Sequence, residues 1–385
     1  MMNTLQIPVF YYHSVAPRAD RRWRRFYLTF PLAYFEDLIR YLTGQGFTFL
    51  TLDEYFAERQ KADTEKRRLI CLTFDDGYLD NYIFVYPVLK KFGAKATIFV
   101  SPDFVQDGTQ PRPTLFDVWD GKWKIADLES LGFASWAELR VMQDSGVIDI
   151  QPHTMTHTKY FVSGKLCGFH HRGGDPLYPI SNRFPFRKPY YITDPEFFSL
   201  IPYGTPFFEE KSAIIARKVS ISEDFQNECC EALKSQDWSR YSFQGCFEKV
   251  ESLYRDYISR DRLIDHVESD LEYEKRVRAE LRDSRRIISE NMGKSANHCC
   301  WPHGKYSENT HRWAIEEGYR STTIVLKPGE VNLFQDRFDR TGCGIVLKNR
   351  ILTKLKGIYK LQAYREVFPY RQIRDIYNRI AYGVK

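Results

Sequence analysis

The stretch Leu69-Ile70-Cys71-Leu72-Thr73-Phe74-Asp75-Asp76-Gly77 decides the fold. Its first six residues show no alternation of polar and apolar side chains. They predict a strand buried on both faces, as in a parallel sheet covered by helices. Working outward, Ile7 to Tyr12, Ala96 to Val100 and Val147 to Ile150 read as further buried strands. Cys299 to Trp301 and Thr322 to Leu326 repeat the pattern. Between the strands, Phe35, Leu38, Ile39 and Leu42 fall at helical spacing ahead of Gly44 and Gly46. Tyr82, Val85, Tyr86, Leu89 and Phe92 make a second stripe that stops at Gly93. Ser135 and Glu138 form a capping box for a helix through Met142, and another helix ends near Gly318. Alternating strands and helices predict an α/β fold with a mostly parallel sheet, closed as a barrel.

The chain has 385 residues, enough for one large domain with an insertion or for two domains. The alternation breaks between about 163 and 270. Residues 172–206 are rich in Gly, Pro and aromatics, and the sequence then turns helical and charged. The expected layout is a first barrel part over 1–162, an insertion acting as lid or subdomain over 163–274, a second barrel part over 275–347, and a basic aromatic tail over 348–385.

The net charge of +6 is uneven. Ten Lys or Arg between 348 and 385 face only Glu366 and Asp375, so the tail carries +8 and the rest of the chain is near neutral. Tyr359, Tyr364, Phe368, Tyr370, Tyr377 and Tyr382 are interleaved with those charges. Such a tail suits an anionic membrane surface, nucleic acid or a solvated closing helix. Nothing at the N-terminus reads as a signal peptide, and no run of about 18 apolar residues exists to span a membrane. The eight Cys, two pairs of them adjacent, read as reduced thiols. The expected compartment is the cytoplasm, with peripheral contact at the inner membrane face.

Asp75, Asp76 and Gly77 follow an apolar strand, and strand C-terminal ends carry the active sites of α/β barrels. Two adjacent carboxylates there can divide their work, one on a metal and one as general base. Alone, the tripeptide reads better as a strand-ending turn. His153 and His157, in His-Thr-Met-Thr-His after the strand Val147 to Ile150, alter that reading. A separation of four places both imidazoles on one face of a helical turn. Two imidazoles and one carboxylate match a catalytic zinc site with an open position.

Three motifs together resemble the polysaccharide deacetylases, the NodB-homology or carbohydrate esterase family 4 group. Thr73-Phe74-Asp75-Asp76-Gly77-Tyr78 resembles that family's first motif, His153 to His157 its second, and Trp301-Pro302-His303-Gly304 its third. Pro8 to Ser14 resembles the opening strand of its circularly permuted branch, which includes poly-N-acetylglucosamine deacetylases. The likeness covers about 1–160 and 275–345. It implies a distorted (β/α)7-type, NodB-like barrel with a large mixed insertion. It also implies that Asp76, His153 and His157 hold one divalent metal, zinc, that Asp75 is the general base and that His13 is the general acid. The Gly77 or Tyr78 amide would stabilise the oxyanion, and Trp301 and Pro302 would line the acetyl or sugar pocket. Where the family places an Arg against the base, this chain has Cys300, and Arg340 stands as the replacement. The family's C-terminal Leu-x-His is absent. His13 therefore matters, either as the acid or as a core histidine, and His303 is the best spare.

The resulting expectation is a metal-dependent hydrolase that removes the N-acetyl group of an amino sugar in a polysaccharide, glycolipid or cell-surface glycan precursor. An O-acetyl sugar esterase and a non-catalytic saccharide-binding relative are the alternatives. The expected partners are that saccharide and an anionic membrane surface, not nucleic acid.

Overall fold

The computed structural model of the protein describes residues 7–61, 68–326, 330, 332–342, 350–365 and 369–382. The first half lays down β1 (Val9–Tyr12), β2 (Ser14–Ala16), β3 (Thr29–Pro31), α1 (Leu32–Gly44), β4 (Thr48–Leu50), α2 (Leu52–Glu58), β5 (Leu69–Phe74), α3 (Tyr86–Lys91), β6 (Ala96–Val100), α4 (Leu115–Trp119), α5 (Trp136–Asp144) and β7 (Ile148–Pro152). Every residue of β5, β6 and β7 is buried, which is why these runs do not alternate. Even Asp149 of β7 is inside, paired with Lys294. α1 buries the stripe Leu32, Phe35, Leu38, Ile39 and Leu42 against these strands. The predicted capping box closes in space: Ser135 Oγ accepts from the Glu138 amide, and Glu138 returns the bond to the Ser135 amide. The stripe from Tyr82 to Phe92 is not one uniform helix. Residues Asn81–Val85 form a wide π-helical turn ahead of α3. Pro87 lacks the N–H that an ordinary helix would need at that point.

After β7 come β8 (Lys159–Phe169), α6 (Leu177–Arg183), β9 (Pro206–Ser212), β10 (Val219–Ile221), α7 (Glu223–Ala232), α8 (Phe243–Ser259), β11 (Ile264–Val267) and α9 (Asp270–Met292). β8 pairs antiparallel with β9, and β10 with β11. This region has its own core around Leu166, Phe208, Phe225, Cys229 and Val250. The chain then returns through β12 (His298–Cys299), α10 (Glu308–Glu316), β13 (Ser321–Ile324), β14 (Arg337–Asp339), β15 (Thr341–Gly342), α11 (Arg350–Tyr364) and α12 (Tyr370–Tyr382). The expected boundary at 274 falls inside the continuous helix α9, whose capping box begins at Ser269.

The parallel strands form a ring. β15, β1, β5, β6 and β7 are hydrogen-bonded in that order, and β12, β13 and β14 in theirs. Only Arg340 separates β14 from β15, so those two form one stave. The ring closes between β7 and β12, where the Cys300 amide donates to the Pro152 carbonyl at 3.2 Å. Gln151 Oε1 accepts from the Asn297 and His298 amides at the same seam. β4 pairs with the start of β5, and the Leu52 amide that follows it bonds Thr97 Oγ1 of β6. The C-terminal ends of β1, β5, β6, β7, β12 and β14 therefore meet on one rim.

Of the basic tail, α11 rests on the barrel through Leu361, which is buried in the core that includes α1. Lys360 Nζ donates to the Gly342 carbonyl at 2.8 Å, and Tyr364 Oη bonds Asp339. Lys348, Glu366, Phe368 and Lys385 lie outside the described residues, as do the side chains of Arg350, Arg371, Arg379 and Tyr382. Among the described residues no helix is long and apolar enough to cross a membrane.

Beneath the rim, buried Asp80 lies 2.5 Å from Ser14 Oγ through Oδ2 and accepts from Asn81 Nδ2 at 2.8 Å through Oδ1. Burial pushes its carboxyl from 3.8 up to about 7, against the hydrogen bonds that lower it. A folded-state pKa above the unfolded one means that the folded chain holds this proton more tightly. The stability gained is complete below about pH 4 and is lost as pH rises toward 7. Asp80→Asn is the neutral isostere. It is expected to flatten the fall in urea-unfolding free energy across that window, and an unchanged slope would assign the effect elsewhere.

Candidate active site

At the end of β5 the backbone turns through two consecutive left-handed residues, Asp76 (φ 73°) and Gly77 (φ 72°). A Cβ on Gly77 would meet Val100 Cγ2 at 3.1 Å, so both conformation and space favour glycine there. The turn separates the two carboxylates. Asp75 faces the seam beside β14 and β15, and Asp76 faces the loop after β7.

Asp76 Oδ1 lies 3.2 Å from His157 Nε2 and 3.5 Å from His153 Nε2. The two rings are 4.8 Å apart. The segment from His153 to His157 is not the helical turn expected from the spacing. It is a loop with left-handed Thr154 (φ 61°) and His157 (φ 43°). Tertiary bonds hold it. Glu280 of α9 accepts from the Met155 and Thr156 amides at 3.1 and 3.0 Å and from Thr156 Oγ1 at 2.6 Å. Ser101 Oγ donates to the His153 carbonyl at 2.8 Å. Of the five non-glycine residues with positive φ among those described, Asp76, Thr154, His157 and His303 sit here and only Asp261 does not. Strain of this kind persists where surrounding structure enforces it, and it concentrates at functional sites.

Asp75 is held by Arg340. Nη1 donates to Oδ1 at 2.6 Å and Nη2 to Oδ2 at 2.9 Å, a bidentate pair. Arg340 also reaches Thr73 Oγ1 at 3.2 Å and Cys300 Sγ at 2.9 Å. The guanidinium thus occupies the space beside Cys300. Burial alone would raise the Asp75 carboxyl, but the Arg340 charge outweighs it and holds Asp75 well below the usual carboxylate range. His13 Nε2 stands 3.9 Å from Asp75 Oδ2, with its side chain 24% exposed. It is placed on the rim, open to solvent on one side, and not within the core.

The third motif follows β12 and is largely buried. Trp301 is 1% exposed and packs with Ile214, Cys299, Trp313 and Tyr319. Pro302 is buried too. The member of this motif that meets the site is His303, whose ring lies 4.7 Å from that of His157 and 5.5 Å from that of Tyr178. Burial and then His157 push His303 down to about 2, so its imidazole is neutral. The Gly77 and Tyr78 amides donate to no backbone acceptor among the described residues, and the turn is pinned instead through the Gly77 carbonyl and the Leu79 amide. Tyr78 stacks on Phe133 and, with Trp23, Phe104, Tyr178 and Tyr191, belongs to an aromatic cluster next to the metal-ligand set.

Sequence reasoning missed Glu280 and Arg25. Glu280 had a signal, because it interrupts the buried stripe Val277, Leu281, Ser284, Ile288 and Met292 of α9. Arg25 had one as well, in the run Arg21-Arg22-Trp23-Arg24-Arg25.

The donor set fits a metal. Asp76, His153 and His157 bring one ligand atom each to within 4.8 Å of one another. The His153 Nδ1 hydrogen bond to the Cys300 carbonyl at 2.8 Å uses that nitrogen as donor and leaves the Nε2 lone pair toward Asp76. Burial, then the neighbouring His153 and Arg25, push His157 well below its ordinary value, so the His157 imidazole is neutral and able to ligate. Replacing Arg340 by Met would strand the Asp75 charge inside the protein. The unfolding free energy is expected to fall by about 3–5 kcal/mol in denaturant titration. The double variant with Asp75→Asn should recover part of that loss, and equal losses in both would show that the pair contributes nothing.

Several known proteins are similar to this chain. The Bacillus subtilis (strain 168) protein YxkH, which bears the name of a polysaccharide deacetylase, is 36% identical over 95 residues. That match covers 25% of this chain and 32% of YxkH, so the chain matches about a third of that relative's length. Among solved structures, a de-N-acetylase from Aggregatibacter actinomycetemcomitans aligns with 87% of this chain and 93% of its own at 15% identity and a TM-score of 0.48. The BpsB deacetylase domain from Bordetella bronchiseptica aligns with 88% and 96% at 18% identity and the same TM-score. Residues 62–166, with Asp75, Asp76, His153 and His157 all among them, match the polysaccharide deacetylase family.

Proposed function

We propose that this protein is a metal-dependent deacetylase that hydrolyses the N-acetyl group of an amino sugar in a polysaccharide, glycolipid or glycan precursor. One observation carries the reading. Two adjacent carboxylates are divided between two environments, Asp76 with paired imidazoles and Asp75 with a buried guanidinium and His13. Metal ligation and proton transfer need that division. The match of residues 62–166 to polysaccharide deacetylases supports it.

Asp76, His153 and His157 would hold a divalent ion, zinc by donor type, whose contribution is to polarise the acetyl carbonyl and acidify the attacking water. Arg340 keeps Asp75 ionised, so Asp75 accepts the proton of that water as oxygen attacks the carbonyl carbon. The same guanidinium makes protonated Asp75 a strong acid that releases the proton readily. The carbon–nitrogen bond breaks as His13 protonates the nitrogen, giving acetate and a free amine. The Gly77 or Tyr78 amide would take up charge on the oxyanion. The His303 imidazole and Tyr178 would border the sugar. The C-terminal helices support residence at an anionic membrane surface, with Leu355, Ile373 and Ile376 exposed among basic residues.

Acetate release from N-acetyl and O-acetyl sugars tests the reaction, and release from the O-acetyl sugar alone would replace the amidase by an esterase. Asp75→Asn is expected to lower turnover by at least about a hundredfold while bound metal, measured by elemental analysis, stays at the wild-type level. Full activity in that variant removes Asp75 from the base role. His157→Ala should lose the ion together with activity, and an unchanged metal content would refute the ligand set.

A further inference from the structure

We infer that the cleft is built for an amino sugar that also carries an anionic oxyacid group, phosphate or carboxylate, and that Arg25 is the residue that recognises it. This deepens the proposed reaction and rests on it. The loop between β2 and β3 holds Arg18, Arg21, Arg22, Arg24 and Arg25 against a single acid, Asp20. The members are not equivalent. Arg22 is spent on Asp20, at 2.7 Å, and on Glu129. Arg24 lies over the Phe198 ring at 4.2 Å and donates to the Arg172 carbonyl. Arg25 is turned inward, with its side chain 20% exposed against 63% for Arg22.

The position of Arg25 is next to the proposed chemistry. Its guanidinium stacks over Tyr178 at 5.2 Å. Tyr178 meets His303 edge-on, and His303 in turn meets His157. Lys159 approaches the same Tyr178 ring at 4.8 Å and is paired with Glu210 at 3.0 Å.

Arg25 is under-used as it stands. A guanidinium has five N–H donors. Among the described residues its one hydrogen bond is to Tyr178 Oη at 3.0 Å, and the nearest carboxylate, Asp175, lies 3.8 Å away, beyond hydrogen-bond reach. A cation that is mostly removed from water, incompletely paired and linked through Tyr178 and His303 to residues suited to a divalent cation is unfavourable unless an anion joins them. Its planar fork matches phosphate or carboxylate oxygens. A neutral sugar offers nothing comparable.

The test compares three probes on the full-length, metal-loaded protein: N-acetylglucosamine, its 1-phosphate, and N-acetylmuramic acid. Binding is read by calorimetry and acetate release is read separately. One or both anionic sugars are expected to bind about tenfold to a hundredfold more tightly than the neutral one. Which of the two it is distinguishes phosphate from carboxylate. Arg25→Gln should collapse that preference, Arg25→Lys should restore part of it, and added salt should weaken only the anionic probes. Equal binding of all three sugars by the wild type, or an intact preference in Arg25→Gln, overturns the inference. If Arg25→Gln does not fold, Arg25→Lys and the salt dependence decide. Anion preference in binding without acetate from any probe would count against the reaction and leave the anion site standing.

Discussion

A buried carboxylate and a buried guanidinium, 265 residues apart in sequence, meet where the ring of strands comes together. Neither is stable inside the protein alone, and each makes the position of the other obligatory. Arg340 sits between β14 and β15, and β15 holds its register on β1 through Thr341 opposite Phe10. Asp75 is placed by β5, which lies on the other side of β1. The pair thus fixes three staves with respect to one another. It also settles the ionisation of the carboxylate on which the proposed proton transfer depends. The small side chain of Cys300 leaves room for this, because a long side chain on β12 would compete for the same space.

The scaffold was legible because parallel strands buried on both faces leave an unmistakable trace, the non-alternating runs at β5, β6 and β7. The two catalytic candidates at the end of β5 and the two histidines after β7 were legible as residue types at strand ends. Their division of labour was visible only through likeness to a family, since nothing local in Asp75-Asp76 says which carboxylate meets Arg340. The loop conformation at 153–157 was not legible at all. Spacing of four suggested a helical turn, but Glu280, more than a hundred positions downstream, accepts from the Met155 and Thr156 amides and holds the segment as a loop. The burial of Trp301 was not legible for a related reason. An aromatic residue in a motif reads equally well as a cleft wall or as a core residue, and the partners that decide, Trp313 and Ile214, come from elsewhere in the chain.

The left-handed residues around the site carry a cost that local sequence does not offset. Thr154 is β-branched and strongly disfavours that conformation, whereas Asp76 and His157 tolerate it better than most non-glycine residues. The hydrogen bonds to Glu280 and from Ser101 and the packing of the surrounding aromatics impose it. Rigidity of the ligand set is therefore a property of the whole rim. A substitution in α9 acts on the histidines as directly as one beside them.

β7 and β12 are neighbouring staves, and α9 is the helix that leads from one toward the other. Everything from 158 to 269 is then a single excursion following a barrel strand, grown large enough to fold around a core of its own. Its two ends leave and rejoin the barrel at the same seam. Such an arrangement lets evolution exchange the excursion wholesale, or an engineer graft another in its place, while the carboxylates, both histidines and the closing arginine stay outside it, at the ends of unaltered strands. Diversification of what the cleft accepts can proceed on one module without renegotiating the chemistry beneath it.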